Sequence, residues 1–244
     1  MPNALPSSPT GQYRCRVALN LYKSAQCKNL VTQAAAGRCA RVLSHDSGEG
    51  AVELCLCEDD YSGWLPATQV SQLESADSSY EPTFLSRVEI ERKIPQVIAF
   101  TFAAMECPNE YLWGGTIAPN YDCSGLMQAA FAASGIWLPR DSYQQADFTE
   151  RIAVEALQPG DLIFFQKSTR VSHVALYLGE GKYIHSSGQE IGRNGIGIDE
   201  LSEQGDAVSR AYFQRFWGAG RVTRCYPASM HSKLTRIYGH FDLD

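Results

Sequence analysis

The chain has 244 residues, enough for one large domain or two smaller ones with real cores. Its net charge is −6, and no dense Lys/Arg cluster interrupts it, which argues against nucleic acid as a main partner. The most apolar stretch, Ile94 to Met105, is broken by Gln96 and Thr101 and is too short to span a bilayer, so a membrane-embedded protein is not expected.

The opening segment, Met1 to Pro9, has neither a basic n-region nor an apolar h-region, so it does not read as a secretory signal, and the expected location is the cytoplasm. The first seventy residues alternate strand-length runs with Gly, Ser, Asn and Asp clusters. Val17 to Leu21, Arg38 to Leu43, Ala51 to Leu56 and Gly63 to Pro66 predict a small β-barrel over residues 1–72. Ser71 to Thr83 is polar and reads as a linker, placed at residues 73–86, and a second domain is expected over 87–244. Eight cysteines lack the spacing of a small secreted disulfide framework, and a reducing compartment would keep them as thiols. Cys55 and Cys57 would share one face of a strand, but no second pair follows at zinc spacing. Small buried thiols are therefore the expectation, with no metal and no cofactor.

Past the linker, Phe84 to Met105 carries apolar residues at mixed helical spacing, with Pro95 as a kink or a new first turn. A loop rich in Gly, Pro and aromatics runs from Asn109 to Tyr121. Cys123 to Ser134 then predicts a helix that Gly135 stops. Three strands are expected at Asp161 to Phe165, His173 to Leu178 and Lys182 to His185, the last two joined through Gly179-Glu180-Gly181. A helix packed on an antiparallel sheet is an α+β layout.

Cys123 stands where an extended segment becomes the first turn of this helix. A helix N-terminus favours thiolate over thiol, and its N–H groups can stabilise an oxyanion. Alternation puts His173, Ala175 and Tyr177 on one strand face; if that face meets the Cys123 helix, His173 can serve as base. Hairpin pairing would then set His185 beside His173, where it could orient the imidazole. The competing reading is a structural thiol and two core histidines. His45, His231 and His240 lack such context and read as surface residues.

Five segments appear in a fixed order: Tyr111-Leu112-Trp113-Gly114-Gly115, Asp122-Cys123-Ser124-Gly125, Pro139 to Gln145, Pro159 to Phe165 and His173 to Gly179. In these segments the chain resembles the NlpC family of bacterial cell-wall cysteine peptidases, a papain-like superfamily. The front part, through Asp59-Asp60-Tyr61-Ser62-Gly63-Trp64-Leu65, resembles a bacterial SH3-like barrel on weaker grounds. The resemblance implies that Cys123 is the nucleophile, His173 the base and His185 the orienting residue. It places Tyr111 on the oxyanion side, and Asp122, Ser124 and Ser142 against substrate.

The family cuts the bond between γ-D-glutamyl and a diamino acid in peptidoglycan stem peptides, without a metal. The absent signal makes degraded wall peptides the expected substrate, and these carry a free α-amine on L-Ala. Asp122 could hold that ammonium, with Tyr61 of the barrel as second partner, since a buried ammonium needs one. The expectation is a recycling enzyme acting on L-Ala-γ-D-Glu-diaminopimelate. The rivals are an exported hydrolase of intact wall, a catalytically inactive wall-peptide-binding protein, and a papain-like transferase or deamidase. Oligomeric state is not legible.

Overall fold

The structure, a computed structural model, describes residues 5–46 and 50–227. The side chains of His45, His231 and His240, read above as surface residues, fall outside the described set, as does the tail beyond Pro227.

The N-terminal unit is a seven-stranded antiparallel sheet of β1 (Gln12–Cys15), β2 (Leu19–Tyr22), β3 (Leu30–Ala34), β4 (Cys39–Asp46), β5 (Ala51–Leu56), β6 (Ser62–Pro66) and β7 (Leu73–Ser75). The strand order is β3-β2-β6-β5-β4-β1-β7. Alternation drives it: Leu19 and Leu21 point inward to meet Val52, Leu54, Leu56 and Leu65, while Asn20 between them is exposed. Leu73 belongs to this core and β7 pairs with β1, so the first part of the segment read as a linker is the barrel's last strand. Its polar Glu74 and Ser75 hid the strand, which needs only one inward residue in three.

The second unit opens with α1 (Arg87–Glu106). Ser86 and Glu89 form a reciprocal capping box at its start. Pro95 lies within this helix, so no new helix begins there. A short hairpin follows, β8 (Thr116–Ile117) with β9 (Asn120–Tyr121), inside the stretch read as loop. Next come α2 (Cys123–Ala133), α3 (Ser142–Phe148) and β10 (Glu150–Ile152). Then β11 (Leu162–Lys167), β12 (Arg170–Gly179), β13 (Lys182–Ser187), β14 (Gly195–Glu200), α4 (Ala207–Phe213) and β15 (Phe216–Arg221) complete the domain. Six of these strands form one antiparallel sheet, in the order β10-β15-β11-β12-β13-β14. The two layouts together make the chain α+β.

Both faces of this sheet are covered. Leu162, Phe164, Val174 and Leu176 meet Leu126, Met127 and Phe131 of α2 and Ile90 and Val97 of α1. The alternate residues Ile163, Phe165, Ala175 and Tyr183 meet Tyr212 of α4. Among the described residues, no helix is long and apolar enough to cross a membrane.

Candidate active site

Cys123 is the first residue of α2, and Asp122 is its N-cap, its carboxylate accepting the Gly125 N–H at 2.7 Å. Glycine is required at 125, because a Cβ there would stand 1.9 Å from the Gly115 carbonyl oxygen. The helix start is thereby pressed onto the loop at 112–115. Gly114, at φ +80°, in turn packs against Leu30 of the barrel and donates its N–H to Asp122 at 2.8 Å.

The sheet supplies the other side of the site. Pairing of β12 with β13 begins at Leu176↔Ile184, and the strands part toward the His173 end. The start of α2 is seated against that opening. The Val174 N–H faces the Cys123 thiol, and the Ser186 hydroxyl donates to the Tyr121 carbonyl at 2.7 Å. The route by which thiol and imidazole approach differs from the one the alternation suggested. The face carrying His173, Ala175 and Tyr177 packs on α4, not on α2, which meets Val174 and Leu176. Cys123 lies beside the backbone of Val174, the residue after His173. Tyr212 closes the group, its ring 4.6 Å from that of His173 and its hydroxyl within electrostatic reach of the thiol.

His173 and His185 come together as the hairpin suggested: His173 Nε2 lies 2.7 Å from His185 Nδ1. The chain continues, with His185 Nε2 2.8 Å from Asp199 Oδ2 and no exposure of either side chain. Arg193 binds Asp199 through both Nε and Nη2 and reaches Asp206 at 2.7 Å. Burial pushes the Asp199 carboxyl up, but the hydrogen bonds from His185 and Arg193 outweigh it and hold the group well below the usual carboxylate range. Burial lowers both histidines; for His173 the neighbouring His185 and the Arg215 charge add to it. The Cys123 thiol is pushed up to about 12, first by burial and then by the Asp122 charge, against donation from Val174 and Ser124 N–H groups. The resting pair is therefore neutral thiol and neutral imidazole. The helix N-terminus alone does not produce the thiolate that its sequence position suggested, because desolvation of a fully buried sulfur is the larger effect.

Tyr111 is half-buried, with Cys123 and Asp122 in its electrostatic surroundings, and burial raises its hydroxyl, so it stands as a donor. Asp122 is not the open carboxylate the ammonium reading needs. Arg140, itself 1% exposed, grips both of its oxygens at 3.1 and 2.6 Å, and the Gly114 and Gly125 N–H groups fill the rest. Ser124 belongs to the same network, its hydroxyl oxygen accepting from Arg140 at 3.0 Å. Ser142 is buried as the first residue of α3. Tyr61 reaches across from the barrel, its hydroxyl 3.5 Å from the half-buried carboxylate of Asp141. The barrel is pinned there by further bonds. Thr32 accepts from Arg140, Asp59 from the Gln128 amide, and the Gln33 side chain from the Thr116 and Ile117 N–H groups.

Asp199, Arg140, Asp141 and Tyr212 are the site residues that sequence reasoning did not assign. Asp199 had one signal: in Gly195-Ile196-Gly197-Ile198-Asp199 the acid falls on a strand pattern where period-two alternation allows a buried face. Cys55 and Cys57 are both buried, with Cys55 beside Arg41. Among the described residues, no group of three or more His, Cys, Asp or Glu side chains could hold a metal ion.

Fold and site together define a two-domain α+β protein whose second domain sets a helix-start cysteine beside the strand of a buried His–His–Asp line. Residues 108–218 match the NlpC/P60 family and residues 21–70 the bacterial dipeptidyl-peptidase Sh3 domain, so the chain carries an NlpC/P60 domain behind a bacterial SH3 domain. It is similar to the probable endopeptidase p60 of Listeria innocua, at 40% identity over 95 residues, which cover 39% of this chain and 19% of that protein. It is also similar to the γ-D-glutamyl-L-lysine dipeptidyl-peptidase of Bacillus cereus, at 38% over 114 residues, covering 46% and 32%. The matched stretches thus span a third or less of those relatives. A solved NlpC/P60 family protein from Bacillus cereus aligns over 87% of this chain and 63% of its own, with a TM-score of 0.45 and 24% identity.

Proposed function

We propose that the chain is a cysteine peptidase that hydrolyses the bond between γ-D-glutamyl and diaminopimelate in wall stem peptides with a free N-terminal L-Ala amine. The observation that carries the reading is the placement of Cys123 at the α2 start, against the strand of His173, with His185 and Asp199 aligned behind that base.

Because thiol and imidazole rest neutral, attack and proton transfer occur together. The Cys123 sulfur adds to the γ-carboxamide carbon as its proton passes to His173 Nδ1, the ring nitrogen not engaged by His185. The carbonyl π pair moves to oxygen. The Tyr111 hydroxyl and the backbone N–H of Cys123 supply its donors. His173 then returns the proton to the departing amine, leaving L-Ala-γ-D-Glu as a thioester on Cys123. Water, deprotonated by His173, attacks that carbonyl and releases L-Ala-D-Glu with a regenerated thiol.

The free-amine preference follows from charge at the barrel end of the cleft. Arg140 is engaged by both oxygens of Asp122, which leaves the half-buried Asp141 carboxylate, with the Tyr61 hydroxyl beside it, to meet an ammonium. We assign the ammonium to Asp141 and Tyr61, with Asp122 and Ser124 acting through Arg140, and Ser142 against substrate. An acylated nitrogen would add bulk there and bring no charge to the half-buried Asp141 carboxylate, whose neighbouring cations are Arg140, already paired with Asp122, and Arg170. Such free-amine peptides arise only from degraded wall, which supports a role in cell-wall recycling, and cytoplasmic residence is part of the same proposal. The similar Bacillus cereus protein is named for a γ-D-glutamyl-L-lysine bond, so lysine is the competing leaving group.

The test is cleavage, followed by mass spectrometry, of L-Ala-γ-D-Glu-diaminopimelate, its lysine counterpart and their N-acetylated forms, beside intact sacculi. Cleavage restricted to free-amine peptides supports the proposal. Equal cleavage of acetylated peptide, or solubilisation of sacculi, sinks the ammonium site and favours a wall hydrolase. Binding without cleavage favours a wall-peptide-binding protein.

A further inference from the structure

We infer that Asp199 is a positioning residue that sets the tautomers of both imidazoles and thereby aims a bare nitrogen of His173 at the Cys123 proton. The inference rests on the hydrolase reading above and adds to it the residue that decides whether His173 can act as a base.

The argument is a count of donors along one line of contacts. Asp199 is ionised, so it only accepts. His185 Nε2, 2.8 Å from Asp199 Oδ2, must therefore carry a hydrogen. A neutral imidazole has one N–H, so His185 Nδ1 is bare and can only accept. His173 Nε2, 2.7 Å away, must then be the donor, which leaves His173 Nδ1 without a hydrogen. That is the nitrogen that must take the thiol proton. When it does, the positive charge on His173 is compensated through His185 by the Asp199 carboxylate.

The surroundings keep the count unique. Asp199 faces His185 and the Ser209 hydroxyl, which donates at 3.3 Å, together with Arg193 and, within electrostatic reach, the Tyr183 hydroxyl. Arg193 supplies a permanent cation that opposes protonation of the acid, and Asp206, the N-cap of α4, anchors Arg193 from outside. His185 lies against Tyr183 and Tyr212, and His173 against Phe165 and Tyr212 with the Arg215 charge beyond. Among the described residues, the hydrogen-bond contact of His173 Nε2 is with His185.

Asp199→Asn keeps shape while changing the count. Its carboxamide can present an N–H to His185 Nε2, which moves the His185 hydrogen to Nδ1. His173 Nε2 must then accept, so its own hydrogen moves to Nδ1 and faces the thiol, where it blocks proton uptake.

The experiment is nitrogen NMR of ¹⁵N-histidine-labelled full-length protein at pH 8, in the otherwise unsubstituted chain and in Asp199→Asn, with steady-state kinetics alongside. The expected result is Nε2–H on both histidines in the unsubstituted protein and a switch to Nδ1–H in the variant. The kinetic counterpart is kcat lower by roughly a hundredfold or more, with KM within a few-fold. Nδ1–H on His173 of the unsubstituted protein would overturn the inference without any variant having to fold. So would an Asp199→Asn protein with unchanged tautomers, or one whose kcat falls only in proportion to lost folded protein. If the unsubstituted protein cleaves no γ-D-glutamyl peptide, the functional reading fails while the tautomer measurement still stands or falls by itself.

Discussion

Arg140→Met removes a guanidinium while nearly conserving side-chain volume, and so isolates the buried charge pair that holds the helix start. Arg140 is 1% exposed and makes four bonds: to Thr32 of the barrel at 3.0 Å, to both oxygens of Asp122 at 3.1 and 2.6 Å, and to Ser124 at 3.0 Å. Its loss leaves Asp122 buried without a counter-ion, which costs about 3–5 kcal/mol. At about 2–4 °C per kcal/mol for a chain of this size, the melting temperature should fall by roughly 6–20 °C. Circular dichroism during heating reads this directly. The double variant Arg140→Met/Asp122→Asn removes both charges and keeps an oxygen for the Gly125 N–H, so it should be less destabilised than Arg140→Met alone. A fall of under about 2 °C for the single variant would refute the reasoning. So would a double variant less stable than the single one, since the cost would then not come from an unpaired charge.

Tyr61→Phe should raise KM for the free-amine peptide roughly ten- to a hundredfold, as expected for a lost hydrogen bond near a charged group, with kcat and melting temperature little changed. Unchanged KM would remove Tyr61 from the ammonium site. Gly125→Ala places a Cβ against the immovable Gly115 carbonyl, so loss of cleavage and a lower melting temperature are expected, and a fully active variant would contradict the packing of loop on helix. The depressed histidines make stability depend on pH with a definite sign. Each is neutral when folded, so its contribution is present above the unfolded pKa of about 6.5 and is lost as pH falls below it, at up to about 1.4 kcal/mol per pH unit. Urea midpoints should therefore drop between pH 7.5 and 5.5, and equal midpoints would contradict two buried neutral imidazoles.

Much of this site was legible because short-range rules govern it. The Cys123 helix start and the His173–His185 hairpin are set by residues within a dozen positions of one another. What the sequence concealed depends on longer reach. Asp122 and Arg140 meet across a turn that nothing local predicts, so a carboxylate that looked free for substrate is already paired. Asp199 is followed by Glu200 and Ser202 in a stretch of surface appearance, and only the β13–β14 register, with Tyr183 opposite Asp199, turns it inward. The face carrying His173 was correct in its period, but periodicity does not say which layer covers a face. The thiol's high pKa had no sequence signal, because burial is a tertiary property and it outweighs the helix N-terminus.

The central claim is that Cys123 carries an acyl group taken from a γ-D-glutamyl peptide. Rapid acid quench of the protein with excess L-Ala-γ-D-Glu-diaminopimelate, followed by intact-protein and peptide mass spectrometry, tests it most directly. The account predicts a hydroxylamine-labile L-Ala-γ-D-Glu thioester on Cys123, absent in Cys123→Ala, which should also lose cleavage by roughly 10⁴-fold or more. Turnover that persists in Cys123→Ala, or an adduct on another residue, would contradict it.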